Sequence, residues 1–139
     1  MAKSIRALMT GNPVCLDAST SIREAARRMR EEDIGDVVVE KAGKLCGIVT
    51  DRDIVVRGVA EGKNVESTNL ESICSKEITS VSADQSDEDA IRLMRQKAIR
   101  RLPVVENGKV VGIISLGDLA VDKEPRSVLG QVSAAAGNL

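Results

Sequence analysis

The sequence predicts a mixed α/β (α+β) fold made of two β-α-β-β-α repeats packed as a pseudo-twofold pair, and three observations carry that prediction. Displacing the chain by 65 residues aligns 8–54 with 73–119 without a gap, with thirteen identities that include Ala25/Ala90, Met29/Met94, Gly47/Gly112 and Asp53/Asp118. Self-similarity over such a span marks a duplicated supersecondary unit. Within each copy, short β-branched runs alternate with an amphipathic helical stripe, the pattern of a small sheet with a helix laid on it. At 139 residues the chain is long enough to bury a sizeable core, whereas one repeat alone covers its apolar face poorly.

Each copy starts with a short strand, at 14–16 and at 79–81. Ser21-x-x-Glu24 and Ser86-x-x-Asp89 then form capping boxes that open a helix. In the first helix Ile22, Ala25, Ala26 and Met29 fall at i, i+3, i+4 and i+7, so this stripe packs while Arg23, Arg27, Arg28 and Arg30 stay wet. Strands follow at 37–40 and 45–50, joined by Lys41-Ala42-Gly43-Lys44, and at 102–105 and 110–115, joined through Asn107-Gly108, a strong hairpin signal. A second helix begins near Asp51 and near Leu116. The domains expected are 5–57 and 70–122, with a linker at 58–69 and a tail at 123–139 that is frayed or weakly helical through Ala136-Gly137.

Composition excludes whole classes of function. Twenty Lys and Arg against 21 Asp and Glu leave a net charge of −1, without the field that nucleic acid or an anionic membrane requires. The chain contains no His, which removes Ser-His-Asp and Cys-His catalysis, histidine-bound metals and the commonest general base. It contains no Phe, Trp or Tyr, so base-stacking platforms are absent and the core is aliphatic. No Walker loop, G-x-G-x-x-G or metal-ligand cluster occurs, and enzymatic activity is disfavoured. Cys15, Cys46 and Cys74 form no C-x-x-C pair and read as small buried thiols in a reducing compartment, a Cys15–Cys46 disulfide being the alternative. With no apolar run of signal or membrane-spanning length, a soluble cytoplasmic protein is expected.

The chemistry candidates are Gly47-Ile48-Val49-Thr50-Asp51-Arg52-Asp53 and Gly112-Ile113-Ile114-Ser115-Leu116-Gly117-Asp118. Each sets a hydroxyl and, three residues later, a carboxylate where a buried strand enters a helix. Capping alone accounts for such a pair. A ligand accounts for it too: a carboxylate accepts from a vicinal diol such as ribose, and free N–H groups at the helix start suit a phosphate.

Those motifs, with Ala7-Leu8-Met9-Thr10, Pro13-Val14 and Ile99-Arg100-Arg101-Leu102-Pro103-Val104, make the span 5–122 resemble a tandem pair of CBS domains, or Bateman module, over about 85% of the chain. Thr50-Asp51-Arg52-Asp53-Ile54-Val55 followed by Arg57-Gly58 is similar to stand-alone bacterial CBS pairs, including the mycobacterial hypoxic-response type.

The resemblance implies clefts between the copies for adenosine ligands: AMP, ADP, ATP or S-adenosylmethionine. Asp53 or Asp118 would hold the ribose, and Thr50 or Ser115 would sit at ribose or phosphate. Adenine would lie against Ile34 to Val37 with Pro13-Val14, or against Ile99 to Val104 with Ile78-Thr79. Where copy two carries Arg100, Arg101 and Pro103, copy one has Gly35, Asp36 and Val38, which favours Ser115 and Asp118. Arg52 and Arg57 are compensating cations or solvated surface; Arg100 and Arg101 are phosphate contacts or strand edge. The function implied is a non-catalytic regulatory module acting as a homodimer on an unidentified protein partner, with no cofactor or metal required. The alternative is an unliganded interaction or stress-response protein that uses the fold for dimerisation.

Overall fold

A computed structural model describes residues 2–74 and 79–135, which divide into two compact units. One unit is residues 14–74; the other joins 2–13 to 79–135. The packing boundary therefore differs from the repeat boundary, because the chain's first residues pack with the second repeat.

In the first unit β2 (Cys15–Asp17) pairs parallel with β3 (Asp36–Lys41), which pairs antiparallel with β4 (Lys44–Thr50). Helix α2 (Ile22–Glu32) starts at Ser21, whose Oγ accepts the Glu24 N–H at 3.1 Å, and ends at Asp33 in the left-handed region. Its buried face is Ile22, Ala25 and Met29, packed on Val37, Val39 and Val49. Ala26, expected on this stripe, is exposed, and Arg28, expected to be wet, is half-buried. The contact face is thus narrower than the four-residue stripe and turned towards Arg28, whose alkyl stem tolerates burial. β4 runs directly into α3 (Asp51–Asp53), which continues as a π-helical turn over Ile54–Val59.

The stretch 58–69 is tied to this unit. Gly58 is buried, and a Cβ there would stand 3.3 Å from Ile22 Cδ1. Val65 packs on the core, and the Ile22 and Arg23 N–H groups donate to the carbonyls of Thr68 and Val65, both at 3.0 Å. A 3₁₀ turn at Leu70–Ser72 carries Leu70 and Ile73 into the same core.

The second unit repeats the plan. β5 (Val81–Ser82) pairs parallel with β6 (Arg101–Glu106), and β6 antiparallel with β7 (Lys109–Ser115). The capping box at Ser86 and Asp89 opens α4 (Asp87–Lys97), and α5 (Leu116–Lys123) follows β7 without a break. Both hairpins turn through two left-handed residues, Ala42-Gly43 and Asn107-Gly108, as the twist of the strands demands. Ala42 adopts without glycine's freedom what Asn107 adopts readily.

The chain's start completes this unit. Helix α1 (Ile5–Leu8) buries Ile5 in the second core, and β1 (Thr10–Gly11) adds an antiparallel strand to β7, giving the order β1-β7-β6-β5. The Ile5 and Arg6 N–H groups donate to Gln85 and Ala83 carbonyls, and Asp87 N–H to Lys3 O, at 2.8–3.0 Å. β1 approaches β7 at Gly112, where a Cβ would lie 2.6 Å from Met9 Sδ and 2.8 Å from Thr10 O. Gly112 is required for that contact.

The tail is more ordered than a frayed end. Of the two states expected, frayed or weakly helical, 128–134 takes the helical one as α6 (Val128–Ala134), capped where Ser127 Oγ accepts the Gly130 N–H at 2.9 Å. Gly130 is buried so closely against the Glu124 and Ala120 carbonyls that no larger residue fits, so α6 folds back on α5. The Ala136-Gly137 end lies outside the described residues.

Candidate functional site

Two strand-to-helix junctions of the same design carry the hydroxyl–carboxylate pairs. In the first, Asp53 N–H donates to Thr50 Oγ1 at 3.1 Å and Thr50 N–H donates to Asp53 Oδ2 at 2.8 Å. In the second, Asp118 N–H donates to Ser115 Oγ at 3.1 Å and Ser115 N–H to Asp118 Oδ2 at 2.9 Å. Both boxes satisfy two backbone donors that a helix start would otherwise leave open. Each spends one carboxylate oxygen on the cap, so the other decides whether the junction can hold a ligand.

The two differ at that second oxygen. Asp53 Oδ1 faces Arg57 Nε at 3.9 Å, while Asp118 Oδ1 has no partner among the described residues. The same holds for the next donor along each helix. In the first junction Asp51 Oδ1 accepts the Arg52 N–H at 2.8 Å, and its carboxylate lies where a Cβ on Gly35 would stand 3.2 Å away. In the second, position 116 is Leu, which has no acceptor to offer, and the Gly117 N–H is unbonded among the described residues. The first junction is closed on itself, and the second presents an acceptor and a donor.

The strands set what surrounds each junction. Thr50 stands opposite Asp36, and Ser115 opposite Arg101. The loop before each middle strand pins the helix: Gly35 O accepts Asp51 N–H at 2.9 Å, and Arg100 O accepts Leu116 N–H at 2.7 Å. Arg100 is exposed and Arg101 half-buried. Arg57 also donates to Ile73 O at 3.3 Å, so it holds the segment after the 3₁₀ turn besides facing Asp53.

The remaining candidates occupy varied settings. Ile99 and Thr79 are half-buried, and Pro103 is buried opposite Ile113. Val14 and Ile34 are half-buried against the first core, while Val37 is a fully buried member of it. Ile78 lies outside the described residues. Sequence reasoning missed Asp51 as the group that closes the first junction; the repeat alignment carries the signal, because it pairs Asp51 with Leu116.

None of the three cysteines is in a disulfide, so the Cys15–Cys46 bridge offered as the alternative does not form. Cys74 is buried and its pKa is pushed up to about 12 by burial, with Cys46 beside it adding to the effect. Cys15, expected to be buried, is on the surface, because β2 turns it outward while Leu16 packs on the core. Its partial burial and the carboxylate of Glu40 still push its pKa up to about 12. Among the described residues no cluster of three His, Cys, Asp or Glu side chains could hold a metal ion, and no helix is long and apolar enough to cross a membrane.

Two β-α-β-β-α units, each with a capped hydroxyl–carboxylate junction where strand meets helix, define a tandem-domain protein. The family model for the CBS domain matches residues 4–58 and 70–121, and the chain belongs to that family. It is 39% identical over 120 residues to the CBS domain-containing protein YhcV of Bacillus subtilis (strain 168), covering 86% of this chain and 85% of that one. It is 31% identical to hypoxic response protein 1 of Mycobacterium tuberculosis (strain ATCC 25618 / H37Rv) over 83% of this chain and 81% of that one.

Among solved structures, hypoxic response protein I with two coordinated zinc ions superposes with a TM-score of 0.77 at 30% identity, covering 85% of this chain and 97% of that chain. The CBS domain pair of protein MJ0100, in complex with 5′-methylthioadenosine and S-adenosyl-L-methionine, superposes with a TM-score of 0.76 at 24% identity, covering 86% and 94%. No catalytic family is indicated.

Proposed function

We propose that this protein is a non-catalytic, adenosine-ligand-binding regulatory module whose ligand is held at the second junction. The observation that carries the reading is the asymmetry between the junctions: among the described residues Asp118 Oδ1 and the neighbouring Gly117 N–H have no partner, while Asp53 and Asp51 are engaged. A ribose hydroxyl donates to Asp118 Oδ1, and an anionic or carboxylate group of the ligand meets the helix start near Arg101. AMP, ADP, ATP and S-adenosylmethionine share that chemistry, and the adenosine compounds bound by MJ0100 are of the same class. Exposed Val55, Val56 and Val59 on one helix and Val128 and Val132 on another leave apolar surface for a second copy, which supports a homodimer; the cytoplasm and a protein partner belong to the same proposal. The ligand shifts such an assembly only by binding one arrangement better than another.

The test is a thermal melt followed by circular dichroism with each of the four ligands at millimolar concentration. A ligand at 100 times its Kd adds about 2.7 kcal/mol, a shift of several degrees for a chain of this size. Asp118→Asn keeps an acceptor for the Ser115 N–H but replaces the free oxygen by a donor, so the melt without ligand should hold while the ligand shift vanishes. A shift retained in Asp118→Asn overturns the assignment of the site. No shift with any ligand favours the unliganded interaction protein, a reading the closed first junction supports.

A further inference from the structure

The second unit contains a cavity of about 520 Å³ between α4, α5 and α6, within the ~300–1,000 Å³ range of small-molecule sites. Met94 and Leu119 form its buried floor, and Ile91, Leu116 and Leu129 its walls. Leu129 reaches the cavity because Gly130 lets α6 lie directly on the Ala120 and Glu124 carbonyls. Charge is confined to Arg95, Arg100, Lys123 and Glu124. Lys123 is committed to Asp87 at 3.0 Å, whereas Arg95 and Arg100 have no ion-pair partner among the described residues. Arg95 has no acidic residue three or four positions away on its own helix, so α4 itself offers it none.

An aliphatic hollow with two unpaired guanidinium groups suits a ligand that is apolar along its length and anionic at one end. We propose that this cavity binds an unbranched aliphatic carboxylate, with the chain between α4, α5 and α6 and the carboxylate on Arg95. A guanidinium takes a carboxylate through two parallel hydrogen bonds, and Ile91, Met94, Leu116, Leu119 and Leu129 offer the chain hydrocarbon to lie against. Ile99, Arg100 and Leu116 border both this cavity and the second junction, whereas Arg95 and Leu129 belong to the cavity alone and carry the distinction between the two.

The experiment measures binding of hexanoate, octanoate and decanoate to the full chain by titration calorimetry, with decanol and decyltrimethylammonium as controls. Affinity should rise about fourfold for each buried methylene until the cavity is full. Arg95→Glu should weaken decanoate at least tenfold and leave decanol unchanged. Ala120→Leu, which fills space at the wall, should shorten the longest chain accepted without altering the preference for an anionic head. Asp118→Asn should change none of these values, which separates this site from the nucleotide junction. Equal affinity for decanoate and decyltrimethylammonium overturns the proposal, as does indifference to Arg95→Glu. So does the absence of saturable binding together with a dimer that Leu129→Glu dissociates in sedimentation, because a second copy then covers the cavity.

Discussion

Asp87 and Lys123 make in the second unit the contact that Ile22 and Gly58 make in the first. Positions 22 and 87, and 58 and 123, are related by the 65-residue repeat, and each pair joins the start of one helix to the end of the next. Ile22 is fully buried, and Asp87 in its place is 1% exposed, with its carboxylate 3.0 Å from Lys123 Nζ. The Asp87 N–H also donates to Lys3 O, and Lys3 pairs with Asp122. A polar knot therefore fastens the chain's first residues to the second unit where the first unit has only an apolar contact.

That knot predicts an acid-sensitive term in stability. Burial alone raises the Asp87 pKa, but the Lys123 ammonium 3.0 Å away and the backbone N–H groups nearby favour the charged form more strongly and hold the carboxyl below its usual range. The folded pKa lies below the unfolded value of about 3.9, so the stabilisation is complete above that pH and is lost as pH falls through the folded value. Lys123→Ala leaves a buried carboxylate unpaired and should cost about 1–3 kcal/mol at pH 7. Asp87→Ile with Lys123→Ala, which restores the first unit's chemistry, should be near neutral at pH 7 and melt with a flatter dependence between pH 5 and 3 than the wild type. Melting curves across that range measure the difference directly.

The first junction should open when its own carboxylate is removed. Asp51→Ala frees the Arg52 N–H and clears the space beside Gly35. If closure by Asp51 is what separates the junctions, ligand titration of this variant should give a second, weaker binding event that is absent in the wild type. Calorimetric stoichiometry rising from one towards two per chain is the expected outcome; an unchanged stoichiometry assigns the difference to Asp36 and the missing arginines instead.

Gly112→Ala should detach the chain's start from the second unit. The new methyl would meet Met9 Sδ and Thr10 O at 2.6–2.8 Å, contacts that β1 relieves only by moving away from β7. A loss of about 1–3 kcal/mol follows from such overpacking. Faster amide exchange at 5–11, with exchange in β3 unchanged, would locate the effect; uniform exchange would refute it.

The thiols should be slow nucleophiles. With their pKa values near 12, the thiolate fraction of Cys15 and Cys74 at pH 8 is on the order of one in ten thousand. Iodoacetamide labelling followed by mass spectrometry should modify Cys15 far more slowly than a free cysteine despite its exposure, and Cys74 only on unfolding. Rapid labelling of native Cys15 would contradict the influence assigned to Glu40.

The repeat, the hairpin strands, the helix starts at Ser21, Ser86, Thr50 and Ser115, and the hairpin at Asn107-Gly108 were all legible in the chain from short local patterns, whereas the strand expected at 79–81 forms at Val81–Ser82. Periodicity and capping are local physics, and local physics is written contiguously. The family followed from the same motifs. What the chain could not state were pairings over long separations: that Ile5 and β1 complete the second unit, and that Asp87 is buried because Lys123 reaches it. The fold of α6 onto α5 at Gly130, and the asymmetry of two junctions whose motifs look alike, are of the same kind. Asp51 and Leu116 are both ordinary residues for a first helical turn, and only the fold shows one turning back on its own backbone while the other leaves that donor open. Sequence decided which elements form and where the hydroxyl–carboxylate pairs lie; tertiary packing decided which oxygen, which amide and which cavity stay open, since a group's availability depends on every neighbour that the fold brings to it.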